Sequence, residues 1–497
     1  MAQIVASLPL LTATLAILLL RQSALRGGAV GLILALCIVL STRTFALIGE
    51  PLMVALLHGV MNTMSVSYVL LGGVWLYQVL KAGGALDVIA GAIVSRMPDP
   101  CLRLLVLVFG VSVFFESSTG FGVGIVVVAP LFLALGFRPT QAAMLALIGQ
   151  CAVPFGALSI GTVLGAAISG VSLPVLGAYS VLFSIPFIFF CGFAALVVGG
   201  RSVTCKSDLG KLLLCVCLLC SLLWFFSVYV SVELAGCLAG LVLLLLGIVF
   251  SGSVQQPVAD DSQPIKRSKY KAQSPALLRA ALPFVVLMSG LLLTRLVEPI
   301  DRGLASIAVL PGAPDGLQIA VFHHAGFWLA LAALVAFCCL PVARAHWRAV
   351  YKASTHQWLL ATLAVGCFLC LGQLMQASGM TGSLAGYIAN LAGPAYVLAV
   401  PLIGGLGGFL TASNAASNAL FMSFQLNTAS QLGVAVEWTA AAQNAAGSNT
   451  TLASPGRLVF AATVAGRSGA EHELLWRILP LALAGVAGTV MMLAFLS

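Results

Sequence analysis

An all-α polytopic membrane protein is the fold class this sequence predicts, with about 12–14 transmembrane helices in two inverted-topology halves. Three observations lead there. Of 497 residues, 61% are hydrophobic and only 7% charged, with a mean hydropathy of +1.11. A soluble chain of this size needs about 25% charged residues to build its surface. Apolar runs of roughly 17–25 residues recur along the whole length, each long enough for the hydrocarbon core. Finally, two polar interruptions occupy corresponding places in the two halves. Strands of alternating polarity, the mark of an outer-membrane barrel, are absent from the sequence. Helices remain, because lipid satisfies no backbone hydrogen bonds.

Taken in order, spans fall near 4–20, 29–48 and 63–80, followed by a dense apolar block at 102–200 and spans near 212–230 and 232–251. The second half has spans near 279–297, 317–340 and 357–378, a dense block at 396–456 and a last helix near 475–496. A polar, Lys-rich stretch at 252–278 divides an N-terminal half, 1–251, from a C-terminal half, 279–497. Its composition predicts a cytoplasmic linker. At the N-terminus Arg21 and Arg26 follow the apolar run instead of preceding it, which predicts a first spanning helix and not a cleaved signal.

The net charge of +9 comes from Lys and Arg in short loops. That is the positive-inside pattern, and it argues for lipid contact over nucleic acid. Placing Arg26 inside puts the N-terminus outside, and the loops at Lys81, Arg201 to Lys211 and Arg344 to Lys352 then also fall inside. The first half starts from outside and the second from inside, as an inverted repeat requires.

The polar interruptions carry the chemistry. The first holds Glu116, Ser117, Ser118, Thr119 and Gly120, with Gly122 and Gly124 beyond, and a second break follows at Gln150 to Gly156. Glycine costs roughly 1 kcal/mol inside a helix relative to alanine, so the cluster predicts a helix broken at membrane depth. In the second half, Thr411, Ser413, Asn414, Ser417 and Asn418 follow a glycine run, with Gln443 and Asn444 some thirty residues on. Ser413 and Ser417, like Asn414 and Asn418, are four apart and share a helix face. Paired broken helices predict a transport site, because freed N–H groups and helix N-termini favour anions. No Lys or Arg occurs at 104–137, 139–200 or 353–456. An anion bound there relies on helix ends, hydroxyls and amides unless Arg138 or Arg457 reaches in, which suits a monoanion better than a polyanion.

Glu116 and Glu437 are the acids of these stretches. An ionisable group at this depth is a functional candidate, and burial favours the neutral carboxyl. Glu116 therefore has two readings: a proton carrier, or a structural cap on a helix start. Glu437 reads as a cavity-facing acid without coupling. Weaker signals resolve blandly. His323 and His324 stand at a span's start and read as interfacial. Cys217/Cys220 and Cys367/Cys370 have CxxC spacing without a second metal-binding pair. The glycines at 405–408 follow no strand and so form no phosphate loop. No cofactor or metal is called for, and no nucleophile and base pair suggests an enzyme.

At these residues the chain resembles the L-lactate permease family. The resemblance is carried by Phe114-Phe115-Glu116 through Gly120-Phe121-Gly122, Ala129-Pro130-Leu131, and Leu135-Gly136-Phe137-Arg138-Pro139. It is strongest at Gly407-Gly408-Phe409-Leu410-Thr411-Ala412-Ser413-Asn414 through Ser417-Asn418, and continues at Gln425, Ala442-Gln443, Ala453-Ser454-Pro455 and Gly469-Ala470-Glu471. Asp99 and Arg103 are similar to the family's charged loop before the first break. Departures are Ser117-Ser118-Thr119 where members usually carry Gly-Ala-Ala, and Gly149-Gln150-Cys151. The resemblance implies a multi-pass protein of the bacterial inner membrane that moves L-lactate, D-lactate or glycolate with a proton. The alternatives are another small organic anion such as a sulfonate, or sodium as the coupling ion. Partners implied are the anion, protons and the bilayer. Self-association is left open.

Overall fold

The computed structural model describes every residue except Met1, Arg21, Ser95, Pro98, Phe121, 202–204, 253–273, 311–317 and Ser497. Most of the expected linker, and Arg21 of the topology reading, therefore lie outside the described residues. The fold is helical, and its only described strands are a two-residue antiparallel pair, β1 (Val309–Leu310) and β2 (Ile319–Ala320).

The chain opens with α1 (Ala2–Leu18), α2 (Ala24–Ser41), the long α3 (Glu50–Ala82) and the short α4 (Ala85–Val94). A broken pair follows. Its first arm is α5 (Pro100–Val106), a π-helical stretch at Leu107–Ser112 and α6 (Val113–Thr119); its second is α7 (Val123–Ala134). Next comes a bent pair, α8 (Pro139–Ile148) and α9 (Gly156–Ser169), joined through a 3-10 turn at Val153–Phe155 and angled by 66°. The long helices α10 (Leu173–Val198), α11 (Lys206–Tyr229) and α12 (Val232–Gly252) complete this part.

The second part begins with α13 (Ser274–Leu296), α14 (Glu298–Ser306), α15 (Ala325–Cys339) and α16 (Pro341–Ala345). It then repeats the earlier order. A long helix α17 (Trp347–Ala377) and a short α18 (Met380–Ala392) lead to a broken pair, α19 (Tyr396–Thr411) and α20 (Asn414–Gln431). A second pair, α21 (Val436–Asn449) and α22 (Pro455–Val464), is interrupted by a 3-10 turn at Thr451–Ala453, and α23 (Glu471–Leu496) ends the chain.

Among the described residues, nine helices are long and apolar enough to cross a membrane, ten if the bent pair is one span. Four shorter apolar helices, at Ala2–Ile17, Val123–Ala134, Ala325–Cys339 and Tyr396–Thr411, accompany them. Two of these, Val123–Ala134 and Tyr396–Thr411, border the first and third helix breaks.

The helices sort into two groups. In one, α3 packs along α17 and α15, with α2 against α17 and α13 against α15. Gly72 and Gly326 let α3 and α15 approach: a Cβ on Gly72 would lie 2.6 Å from the Leu329 Cβ. Small residues at such contacts replace the hydrophobic drive that lipid removes. In the other group, α9, α10, α19, α20, α21 and α23 interlock around buried polar side chains. The Pro100–Thr119 arm is almost wholly buried. Lipid therefore does not bathe this first arm, and its polar residues face protein.

Charged residues tie the elements at their ends. Asp99 caps α5, accepting from Cys101 N and Leu102 N at 2.9 Å each, and pairs with Lys211 Nζ at 2.6 Å. Burial opposes the charged form of Asp99, but the hydrogen bonds from Lys211 and the two amides outweigh it, and the carboxyl titrates below its usual range. Arg295 of α13 holds Glu233 of α12 through two hydrogen bonds, at 2.8 and 3.1 Å, and meets His323, which pairs with Asp301 at 2.7 Å. His324 caps α15 through Gly326 N and stacks on Tyr68.

Candidate functional site

A cavity of about 250 Å³ lies where all four interruptions meet. The first break contributes Glu116 and Gly120, and the second Val153, Gly156, Ala157, Ile160 and Gly161. The third contributes Thr411, Ala412, Ser413, Asn414, Ala415 and Ala416, and the fourth sends Arg457 from α22. The remaining wall is apolar: Ala24 of α2, Val66 and Leu70 of α3, and Ala361, Ala364 and Val365 of α17. The cavity is thus lined by residues of both helix groups.

Positive-φ backbone marks three of the breaks, and in two of them the residues are not glycine and the backbone is strained. Gly120 and Gly122 sit at φ +74° and +77°. Ala157, Leu158 and Ser159 are left-handed at φ 49°, 52° and 57°, so regular helix starts only at Ile160, and Ala412 adopts φ 57°. A left-handed residue other than glycine costs roughly 1–2 kcal/mol. Such conformations persist where surrounding structure fixes them, and they gather at functional sites. Here the fixing contacts are identifiable. Ser159 Oγ donates to Val232 O at 2.6 Å and Thr162 Oγ1 to Pro154 O at 2.5 Å. The Thr411 hydroxyl is shared between Gly407 O and Ser413 O, and Ser413 Oγ caps α20 by accepting from Ala416 N at 3.3 Å. The breaks also touch one another. A Cβ on Gly120 would lie 2.5 Å from the Ala157 Cβ, and one on Gly161 would lie 2.5 Å from Asn414 Nδ2.

Glu116 and Arg457 are the charged side chains of the cavity wall. Glu116 is 4% exposed. Its oxygens accept from Gly122 N at 3.3 Å and Gly124 N at 3.4 Å, at the N-terminus of α7. Arg457 Nη2 approaches Glu116 Oε1 at 3.4 Å, while Nη1 donates to Gln150 Oε1 at 2.6 Å. Gln150 Nε2 in turn donates to Ser112 Oγ at 3.4 Å. The short bond from Arg457 goes to the amide and the long one to the carboxylate, so Gln150 fixes the guanidinium while the ion pair stays loose. Both readings of Glu116 thus have a geometric basis: the carboxylate caps α7 and faces a cavity beside a cation.

Of the other residues singled out in the sequence, Gly120, Thr411, Ser413 and Asn414 line the cavity. Gln150 touches it through Arg457. Ser117, Ser118 and Thr119 lie behind the wall: Ser117 packs on Gly236 of α12, Ser118 Oγ donates to Phe114 O at 2.7 Å, and Thr119 Oγ1 to Phe115 O at 2.9 Å. They sit on the faces of α6 turned away from the cavity, because one helix turn cannot aim four consecutive residues the same way. Glu437 is exposed in the first turn of α21, away from the cavity wall. Arg138 starts α8, its backbone N–H donating to Gln141 Oε1. Arg457 is therefore the cation that reaches in.

Ser417, Asn418, Gln443 and Asn444 form a second layer. Asn444 is its hub: Oδ1 accepts from Asn414 Nδ2 at 2.9 Å and Asn418 Nδ2 at 2.8 Å, and Nδ2 donates to Thr162 Oγ1 at 2.9 Å and Ser180 Oγ at 2.8 Å. Asn418 also donates to Gly161 O at 3.0 Å. Gln443 Nε2 donates to Ser417 Oγ at 3.2 Å and its Oε1 accepts from Gln425, while Ser417 Oγ donates to Gly404 O at 3.1 Å. The layer clamps α9, α10, α20 and α21 together and sets Asn414. Replacing Asn444 with Ala leaves four buried polar partners short of a bond. It is expected to cost about 3 kcal/mol, read as a lower thermal unfolding midpoint of the purified protein in detergent.

Residues that sequence reasoning missed are the small and apolar ones: Ala157, Gly161, Val66, Leu70, Ala361, Ala364 and Val365. Nothing in their type separates a cavity wall from ordinary helix packing. Arg457 did leave a signal, as the cation that ends the Lys- and Arg-free stretch 353–456.

A multi-pass helical bundle whose broken helices end around a small, largely apolar cavity with one ion pair in its wall fits a membrane permease. The chain belongs to the L-lactate permease family, whose model matches residues 2–310 and 312–496. It is similar to the glycolate permease GlcA of Escherichia coli K12, 25% identical over 95% of this chain and 92% of that one. The L-lactate permease of Salmonella typhimurium is also 25% identical, over 95% and 92%, and that of Bacillus subtilis 24% identical, over 90% and 88%. Among solved structures, the Alcanivorax borkumensis YdaH transporter aligns with a TM-score of 0.44 and 16% identity, covering 88% of this chain and 86% of that one.

Proposed function

We propose that the protein carries a small 2-hydroxy monocarboxylate such as lactate or glycolate across the bacterial cytoplasmic membrane together with a proton. The observation that carries this reading is the convergence of four helix breaks on one small cavity whose described wall holds one carboxylate, Glu116, and one cation, Arg457. The names of the relatives supply the substrate class, and the cavity fits it. One guanidinium suits one carboxylate group, and apolar α3 and α17 residues suit a short carbon chain. Asn414 adds a hydroxyl reader. Its Nδ2 is held by Asn444, while its buried Oδ1 has no hydrogen-bond partner among the described residues. An unpaired buried acceptor costs about 1–3 kcal/mol, and a substrate hydroxyl would remove that cost.

In this reading Glu116 takes the proton, residues 1–251 and 279–497 act as inverted halves joined by a cytoplasmic linker at 252–278, and the N-terminus lies outside. Neutral symport follows from one anion and one proton. The test is uptake of radiolabelled lactate into proteoliposomes under an inward proton gradient, an inward sodium gradient, or neither. Stimulation by protons alone supports the reading. Stimulation by sodium alone makes the coupling ion sodium, and uptake of short sulfonates in preference to lactate changes the substrate. Propionate, which lacks the hydroxyl, is expected to show a kcat/KM about 10-fold or more below that of lactate.

A further inference from the structure

Arg457 is shared between a fixed carboxylate and a cavity open to a mobile one. We propose that the substrate carboxylate and Glu116 compete for Arg457, so that substrate binds only as Glu116 takes a proton. This rests on the monocarboxylate reading above and supplies its coupling step.

The geometry provides one place for one negative charge. Arg457 is held by Gln150 at 2.6 Å and reaches Glu116 at 3.4 Å, with both charged groups on the same cavity wall. Without substrate, the pair is neutral as a whole. When a carboxylate enters and turns the guanidinium toward itself, Glu116 loses its cationic partner while remaining 4% exposed. Two anions against one buried cation leave an uncompensated charge, and proton uptake removes it. The proton comes from the water on the side the cavity then faces and goes to a Glu116 oxygen. Its second oxygen still accepts from the start of α7, so the cap survives. Release reverses the steps: the substrate leaves, Arg457 returns to Glu116, and the proton departs. One proton thus accompanies each carboxylate with no net charge moved.

Among the described residues, the surroundings of Glu116 contain no rival cation. Against Glu116 lie the backbone amides of Gly122 and Gly124 and, from α9, Gly156, while apolar residues of α3 and α17 line the same cavity. On the opposite side of α6 lies the Cys237 thiol, against Ser118 at 3.5 Å. Arg457, from α22, is the charged group facing it from another element. Gln150 is the positioning residue: a neutral amide holds the guanidinium without competing with the substrate for its charge.

The experiment is equilibrium binding of radiolabelled lactate to the full-length protein in nanodiscs between about pH 5.5 and 7.5, where a carboxylic acid of ordinary pKa stays ionised. Competition predicts that Kd rises as pH rises, by up to about tenfold per unit once Glu116 is ionised in the free protein. Glu116→Gln, which keeps an oxygen for the α7 amides, is expected to bind with a Kd that does not change with pH. A wild-type Kd constant across the range overturns the competition while leaving the monocarboxylate reading intact. A Glu116→Gln protein with the wild-type slope overturns it too, because another group then takes the proton. Absence of lactate binding at every pH overturns both.

Discussion

Arg457→Ala is expected to lower lactate uptake by about 30-fold to several thousandfold, the loss that follows removal of one partner of a buried charge pair at about 2–5 kcal/mol. Two effects combine in that variant, and they separate experimentally. The first is structural: Glu116 is left buried beside no cation. That charge is relieved when the carboxyl protonates, so the thermal midpoint of Arg457→Ala should recover toward wild type as pH falls. The second is functional, since no other cation lines the described cavity wall. Combining Arg457→Ala with Glu116→Gln removes the stranded charge and should restore stability without restoring uptake. Arg457→Lys keeps the charge but loses the planar fork that reaches both Gln150 and Glu116. It is expected to retain measurable but weakened uptake. Recovery of full uptake in the double variant would show that Arg457 only neutralises Glu116.

Glu116→Gln is expected to abolish the proton uptake that accompanies lactate entry. The amide keeps a carbonyl for Gly122 N, so the first break is preserved, but it has no proton to exchange in this range. Without the Glu116 charge, the empty cavity holds an uncompensated cation, and net lactate entry then moves charge. Uptake by the variant should respond to an imposed membrane potential, whereas wild-type uptake should not. Proteoliposomes clamped with potassium and valinomycin read this directly.

Spans and interruptions were legible in the sequence because lipid imposes strict rules on length and backbone hydrogen bonding. The dense block at 102–200 had to break near Glu116 and near Gln150, since polar and glycine residues stand there. The repeat could be read the same way, as α5 to α10 and α19 to α23 follow one order. Direction within a break was not legible. Ser117 and Glu116 are neighbours, yet one packs on Gly236 and the other faces the cavity, a difference set by tertiary packing. Asn414 and Asn444 are of one residue type, yet Asn414 faces the cavity and Asn444 sits behind it, because Thr162 and Ser180 of the first half claim the second. The left-handed run at Ala157 to Ser159 left no trace at all, since none of its residues favours that conformation.

The most direct test of the account is the ratio of protons to lactate entering the same proteoliposomes, from a lumenal pH dye and a radiolabel recorded together. The account predicts one proton per lactate at every membrane potential tested. Lactate entry without lumenal acidification beyond that of protein-free vesicles, or with a ratio that shifts with potential, would contradict it.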